Sequence, residues 1–173
     1  MIAFKVDDLF ERAIFPGFPF RNRDWLAIAF ERNSYDNTRL PEWFFRSASQ
    51  HFNADGQNKL LIKGDCFALS EQIAEVVAVD FDWDSYRNFM LSPESYSLEY
   101  KMASKDRSCG CWADAELTIF GGSPEEMTAV LADFGGADAV LARVEREFFL
   151  DERDGNEDLR AYFRGLLFPE HRR

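Results

Sequence analysis

Between residues 76 and 119 the chain alternates apolar and polar side chains in three separate runs. A period of two is the spacing at which a half-buried strand turns one face to a core. Val77, Val79, Phe81 and Trp83 alternate with Ala78, Asp80, Asp82 and Asp84. Tyr96, Leu98, Tyr100 and Met102 alternate with Ser97, Glu99 and Lys101, and Ala113, Ala115, Leu117 and Ile119 with Asp114, Glu116 and Thr118. Such a succession predicts an antiparallel sheet packed on one side and wet on the other. Upstream, the apolar runs 60–63 and 66–69 flank Gly64-Asp65, which predicts a two-residue hairpin with glycine first. Residues 103–111 are expected to turn the chain between the last two alternating runs.

Beyond the sheet the period changes to that of helices. Gly121-Gly122 is expected to close the last strand, and Ser123-Pro124-Glu125-Glu126 supplies an N-cap, a proline at N1 and a glutamate at N3. Met127, Val130, Leu131 and Phe134 form the stripe of this helix, and Gly135-Gly136 ends it. A second helix is expected over 137–150 through Val140, Leu141, Val144 and Phe148. A third, over 156–167, carries Leu159, Tyr162, Phe163, Leu166 and Leu167 and stops at Pro169. In the N-terminal third, prolines 16 and 19 make Phe15–Phe20 a loop that tucks phenylalanines inward. Leu26, Ile28 and Phe30 predict a short strand, and Phe44, Ala48 and Phe52 a helix over 41–53. The expected architecture is one α+β domain over 1–173: an aromatic-rich, near-neutral part (1–63), a sheet (64–120) and three helices (121–168). In it an antiparallel meander is covered on one face by helices.

Hydrophobic residues make up 46% of the 173, with 18 Phe, which supplies a core and excludes disorder along most of the chain. Asp7 and Asp8 interrupt the apolar run a secretory signal needs, and no stretch has the length of a membrane span. Three cysteines do not make a disulfide framework. A cytoplasmic protein is the expectation.

Charge is segregated. Residues 1–63 hold 9 Lys/Arg and 8 Asp/Glu, whereas 64–173 hold 11 and 23, so the excess that gives the net −11 lies in the second part. A field of this sign repels nucleic acid and anionic membrane and steers basic partners. If the strands pair as a meander, Asp80 and Asp82 share their wet face with Glu99, Asp114 and Glu116, against Lys101 alone. Like charges on neighbouring strands destabilise a sheet, so a basic partner or a cation covering that face would explain the arrangement. A second acidic group runs from Glu145 and Glu147 through Asp151, Glu152 and Asp154 to Glu157 and Asp158. The last two suit a helix N-terminus, whereas Asp151 and Glu152 follow a helix end that prefers cations.

Catalytic and metal-binding signatures are thin. Asp80, Asp82 and Asp84 offer hard oxygen ligands for calcium or magnesium. As the start of an EF-hand loop they fail, because Ser85 and Leu91 stand where glycine and glutamate are needed. The apolar run before Asp80-Phe81-Asp82 resembles the first motif of haloacid-dehalogenase-like phosphatases but lacks its glycine–threonine continuation. Cys109-Gly110-Cys111 is expected in a turn; with only Cys66, His51 and His171 besides, it falls short of a zinc ligand set. Nucleophile elbows, phosphate loops and dinucleotide fingerprints are absent from the sequence, and no cofactor is expected.

These features predict an acidic, protein-binding inhibitor. In type, though not in motif, it is similar to the immunity proteins that neutralise bacterial nuclease-type toxins. The expected partner is a basic protein, steered onto the acids at Asp80, Asp82, Glu99, Asp114, Glu116, Asp151, Glu152 and Asp154. Three alternatives carry their own signatures. A nucleic-acid mimic directed against a DNA-binding complex shares the acidic surface. A cation-dependent enzyme or binder would use Asp80, Asp82 and Asp84. An assembly component would use the Phe15–Phe20 loop as an apolar contact.

Overall fold

The computed structural model describes residues 4–11, 17–31, 35, 37–69, 72–148 and 157–172. A turn of 3-10 helix (Val6–Leu9) precedes β1 (Leu26–Glu31), α1 (Glu42–Phe52), β2 (Lys59–Leu69), β3 (Gln72–Asp80) and α2 (Trp83–Met90). Then come β4 (Tyr100–Ser104), β5 (Cys109–Ala113), β6 (Leu117–Gly122), α3 (Pro124–Ala132), α4 (Ala137–Phe148) and α5 (Glu157–Leu167). The fold is α+β: six strands form one antiparallel sheet, and the last helices occupy the C-terminal third. No helix among the described residues is long and apolar enough to cross a membrane.

The strand order is β1-β6-β5-β4-β2-β3. Strands β4, β5 and β6 form a meander, and the β2–β3 hairpin joins it through β2, which leaves β3 outermost. Partners across the ladder share a face, so the register sorts every strand residue. The first face carries Ile62, Val77, Met102, Cys111, Phe120 and Ile28; the second carries Leu61, Ala78, Ala103, Gly110, Gly121 and Ala27.

Helix α1 packs on the first face: Phe44 meets Phe30 and Phe120 at ring-centroid separations of 4.9 and 5.2 Å, and Phe52 meets Phe120 at 5.8 Å. Phe45 stacks on Tyr86 at 4.3 Å, which brings α2 alongside α1. The second face is covered as well, against the expectation of a wet side. Phe10 packs edge-on to Trp112, and Phe20 meets Phe10, Phe18 and Trp25 within 5.6 Å. Phe18 and Phe20 are buried as the sequence predicts, while Phe15 lies outside the described residues. Helix α5 joins this cover through the Tyr162 hydroxyl, which donates to the Gly17 carbonyl. On this face Lys63 of β2 is met by Asp7 of the 3-10 turn, while Val76 and Ala78 of β3 stay exposed.

Five local expectations are corrected. Gly64-Asp65 is not a turn, since β2 runs through it to Leu69. The register shifts between Lys63 and Phe67, where a Cβ on Gly64 would lie 2.4 Å from the Phe67 ring; a glycine inside a strand here marks a bulge. The run 76–84 leaves the sheet at Asp80, and Asp82 caps α2 by accepting from the Ser85 N–H at 2.8 Å. Tyr96 and Leu98 precede β4, 74% and 62% exposed. The run 113–119 is two strands: the Asp114 carboxylate accepts from the Glu116 and Leu117 N–H groups, each at 2.8 Å, and folds β5 back into β6. The strand β6 also continues through Gly121-Gly122 instead of ending there.

Candidate partner-binding surface

The acids expected on one wet face are distributed over the molecule. Asp80 pairs with Lys59 across β2 and β3 and is bonded to it at 2.7 Å. Glu99 stands before β4 and reaches Lys101 at 3.7 Å. Lys101 is registered with Lys63, four residues along β2 from Lys59, so about 13 Å of strand separates the two ion pairs. Asp82 spends its carboxylate on the α2 cap, where it also accepts from the Ser85 hydroxyl at 2.8 Å. Asp114 and Glu116 lie in the β5–β6 turn, at the Glu99 end of the sheet and away from Asp80. The shared acidic face therefore does not form: strand order and the two helix- and turn-capping aspartates break it up. Asp151, Glu152 and Asp154 lie outside the described residues.

The same geometry separates the aspartates proposed as a cation site. Asp80 ends a strand, Asp82 caps a helix and Asp84 lies inside its first turn. Among the described residues no three His, Cys, Asp or Glu side chains come together to hold a metal ion.

Cys109 and Cys111 are in β5, not in a turn, and both point into the core of the first face. Alternation places them together, with Gly110 facing the other way. Burial pushes both thiols far above their ordinary range, so neither is nucleophilic in the native state. In a Cys66→Ser background, iodoacetamide should label Cys109 and Cys111 only at the rate of global unfolding. Rapid native-state labelling, measured by mass spectrometry, would place them at the surface instead.

Among the described residues one Ser–His–Asp group occurs, and its connectivity makes it a tether. Asp133, at the C-cap of α3, accepts from the Ser47 hydroxyl at 2.6 Å and meets His51 Nε2 at 3.0 Å, both on the same carboxylate oxygen. A nucleophilic triad needs histidine between serine and aspartate. Here aspartate is in the middle, its carboxyl held below the usual range first by the Ser47 hydrogen bond and then by His51. The group joins α1 to α3.

Sequence reading missed the outer edge of β3. Val76 on this strand is 44% exposed, and Glu75, Ala78 and Asp80 are exposed too. Lys63 and Lys101 on the neighbouring strands are instead engaged by Asp7, whose carboxyl is held low chiefly by the Lys63 hydrogen bond. Alternation in the sequence does announce a strand here; that it is an edge depends on pairing that no local pattern encodes. Comparison with protein-family models, curated proteins and solved structures gives no match to this chain.

Proposed function

We propose that this protein is an acidic protein-binding inhibitor, which occupies a basic, nuclease-like partner by electrostatic complementarity. The supporting observation is the run Glu75, Asp80, Asp82 and Asp84, all exposed and with no Lys or Arg from Glu75 to Tyr86, in which Asp80 is shared with Lys59 and Asp82 also caps α2. It lies on an edge strand and the first turn of a helix, so it belongs to ordered backbone. An acidic surface of this kind accelerates encounter with a basic cleft and sets orientation more than it adds raw affinity. Proteins that act on nucleic acid carry such clefts because they must neutralise phosphates.

The test captures the partner from cells on the tagged protein at about 0.1 M salt and washes at about 1 M, over which the screening length falls from about 10 to about 3 Å. A basic protein released by the wash is the expected result. Its association rate should fall about tenfold against a protein carrying Glu75→Gln, Asp80→Asn and Asp84→Asn. A partner that survives the wash and binds the neutralised protein equally fast would overturn the reading.

A further inference from the structure

The two edges of the sheet are treated differently. At one, β1 is flanked by α4 and α5. At the other, β3 pairs only with β2, and among the described residues no strand lies beyond it. An edge strand presents a row of outward N–H and C=O groups ready to pair with another chain, and proteins blunt such rows with lysine, proline, bulges or short length. β3 uses none of these. It runs nine residues without Pro, Lys or Arg. The extra residues of the bulge are on its neighbour, where residues 64–66 of β2 face the single Glu75. On the second face, exposed Val76 and Ala78 continue into half-buried Leu61, paired with Ala78 across the ladder.

Charge selects the occupant. Every charged residue of β3 is acidic, and Asp82 and Asp84 extend the same sign past its end. A second copy would bring these acids against their own kind on a molecule of net charge −11. A segment with apolar residues on one face and Lys or Arg at its other positions meets both features. Resting on the inhibitor reading above, we propose that β3 takes up an extended basic segment of the partner as a seventh strand. Its apolar side chains would lie on Val76, Ala78 and Leu61, and its cations would lie on the opposite face beside Glu75. Backbone pairing supplies affinity in such strand addition, and alternate side chains supply specificity.

The test uses the full chain and two capped peptides as long as β3, both alternating lysine and valine. The second is N-methylated at every other residue, which keeps charge and side chains and removes the donors along one edge. Hydrogen exchange of the protein is followed residue by residue. The first peptide should slow exchange at alternate amides of β3 by about tenfold or more, while the methylated peptide leaves them unchanged. Val76→Lys, at an exposed position, should weaken the first peptide while the melting temperature holds. If both peptides bind equally and protect residues elsewhere, the docking edge is overturned and the acidic reading survives. If neither binds at low salt, both fall. Protection of β3 that grows with protein concentration alone would assign the edge to a second copy and overturn the basic occupant.

Discussion

Phe44→Ala should lower the free energy of unfolding by about 3–5 kcal/mol, the range for truncating a buried phenylalanine. The ring is fully buried and joins three elements at once: β1 through Phe30, β6 through Phe120, and its own helix through Trp43 at 5.9 Å. Alanine leaves a cavity between α1 and the sheet, and rigid aromatic neighbours close it poorly. Against a total of about 5–15 kcal/mol for a protein of ordinary stability, this loss would bring the variant close to unfolding at room temperature. Urea titration should show a lower midpoint with an unchanged slope. Phe44→Leu, which keeps most of the volume, should lose only about 1–1.5 kcal/mol. Gln50→Ala, on the exposed side of the same helix, should change stability by no more than about 0.5 kcal/mol. A Phe44→Ala loss as small as that of Gln50→Ala would show that α1 does not rest on the sheet through this ring.

Such rings explain which elements the sequence discloses. α1 is legible because Phe44, Ala48 and Phe52 repeat at helical spacing, and these residues do face the sheet. α3 is legible through its Ser-Pro start, and β1 through its alternation. α2 was hidden by coincidence. Phe81 and Trp83 extend the alternation of Val77 and Val79, so the aspartates between them read as a strand face. The helical signal was present nonetheless: Asp82 is a favoured N-cap, and Trp83, Tyr86 and Met90 recur at three and seven residues, all buried. The turn at Asp114 was concealed in the same way, because a tight reversal between two strands can preserve a period of two while switching faces. The candidate site was less legible than the fold. Whether Asp80 stands beside Glu99 depends on strand order, and the out-of-sequence pairing of β2 with β4 is decided by contacts distant in sequence. The acidity itself is plain from composition; its placement on an unprotected edge is a property of topology alone.

That edge is open because of what covers the rest of the second face, and Gly121 gives a direct measure of the cover. A Cβ at Gly121 would lie 2.4 Å from one atom of the Phe20 ring and 2.9 Å from two others. The ring cannot give way easily, since it is fully buried with Phe10, Phe18 and Trp25 around it. Gly121→Ala should therefore cost about 1–3 kcal/mol through overpacking, although glycine within a strand is intrinsically the worse residue by about 0.5–1 kcal/mol. Phe20→Ala alone should cost about 3–5 kcal/mol. In combination the added methyl enters the space the ring has left, and the intrinsic preference reasserts itself. Gly121→Ala should then be neutral or stabilising in the Phe20→Ala background, giving a coupling of about 1–3 kcal/mol in a double-mutant cycle read by urea denaturation. Additive losses would mean that the N-terminal aromatic segment does not lie on β6. The second face would then be open well beyond β3, and β3 would lose its standing as the sheet's one unprotected strand among the described residues. A strong coupling fixes the cover over β5 and β6 and confines the open surface to the strip where Leu61, Val76 and Ala78 meet the acids of β3.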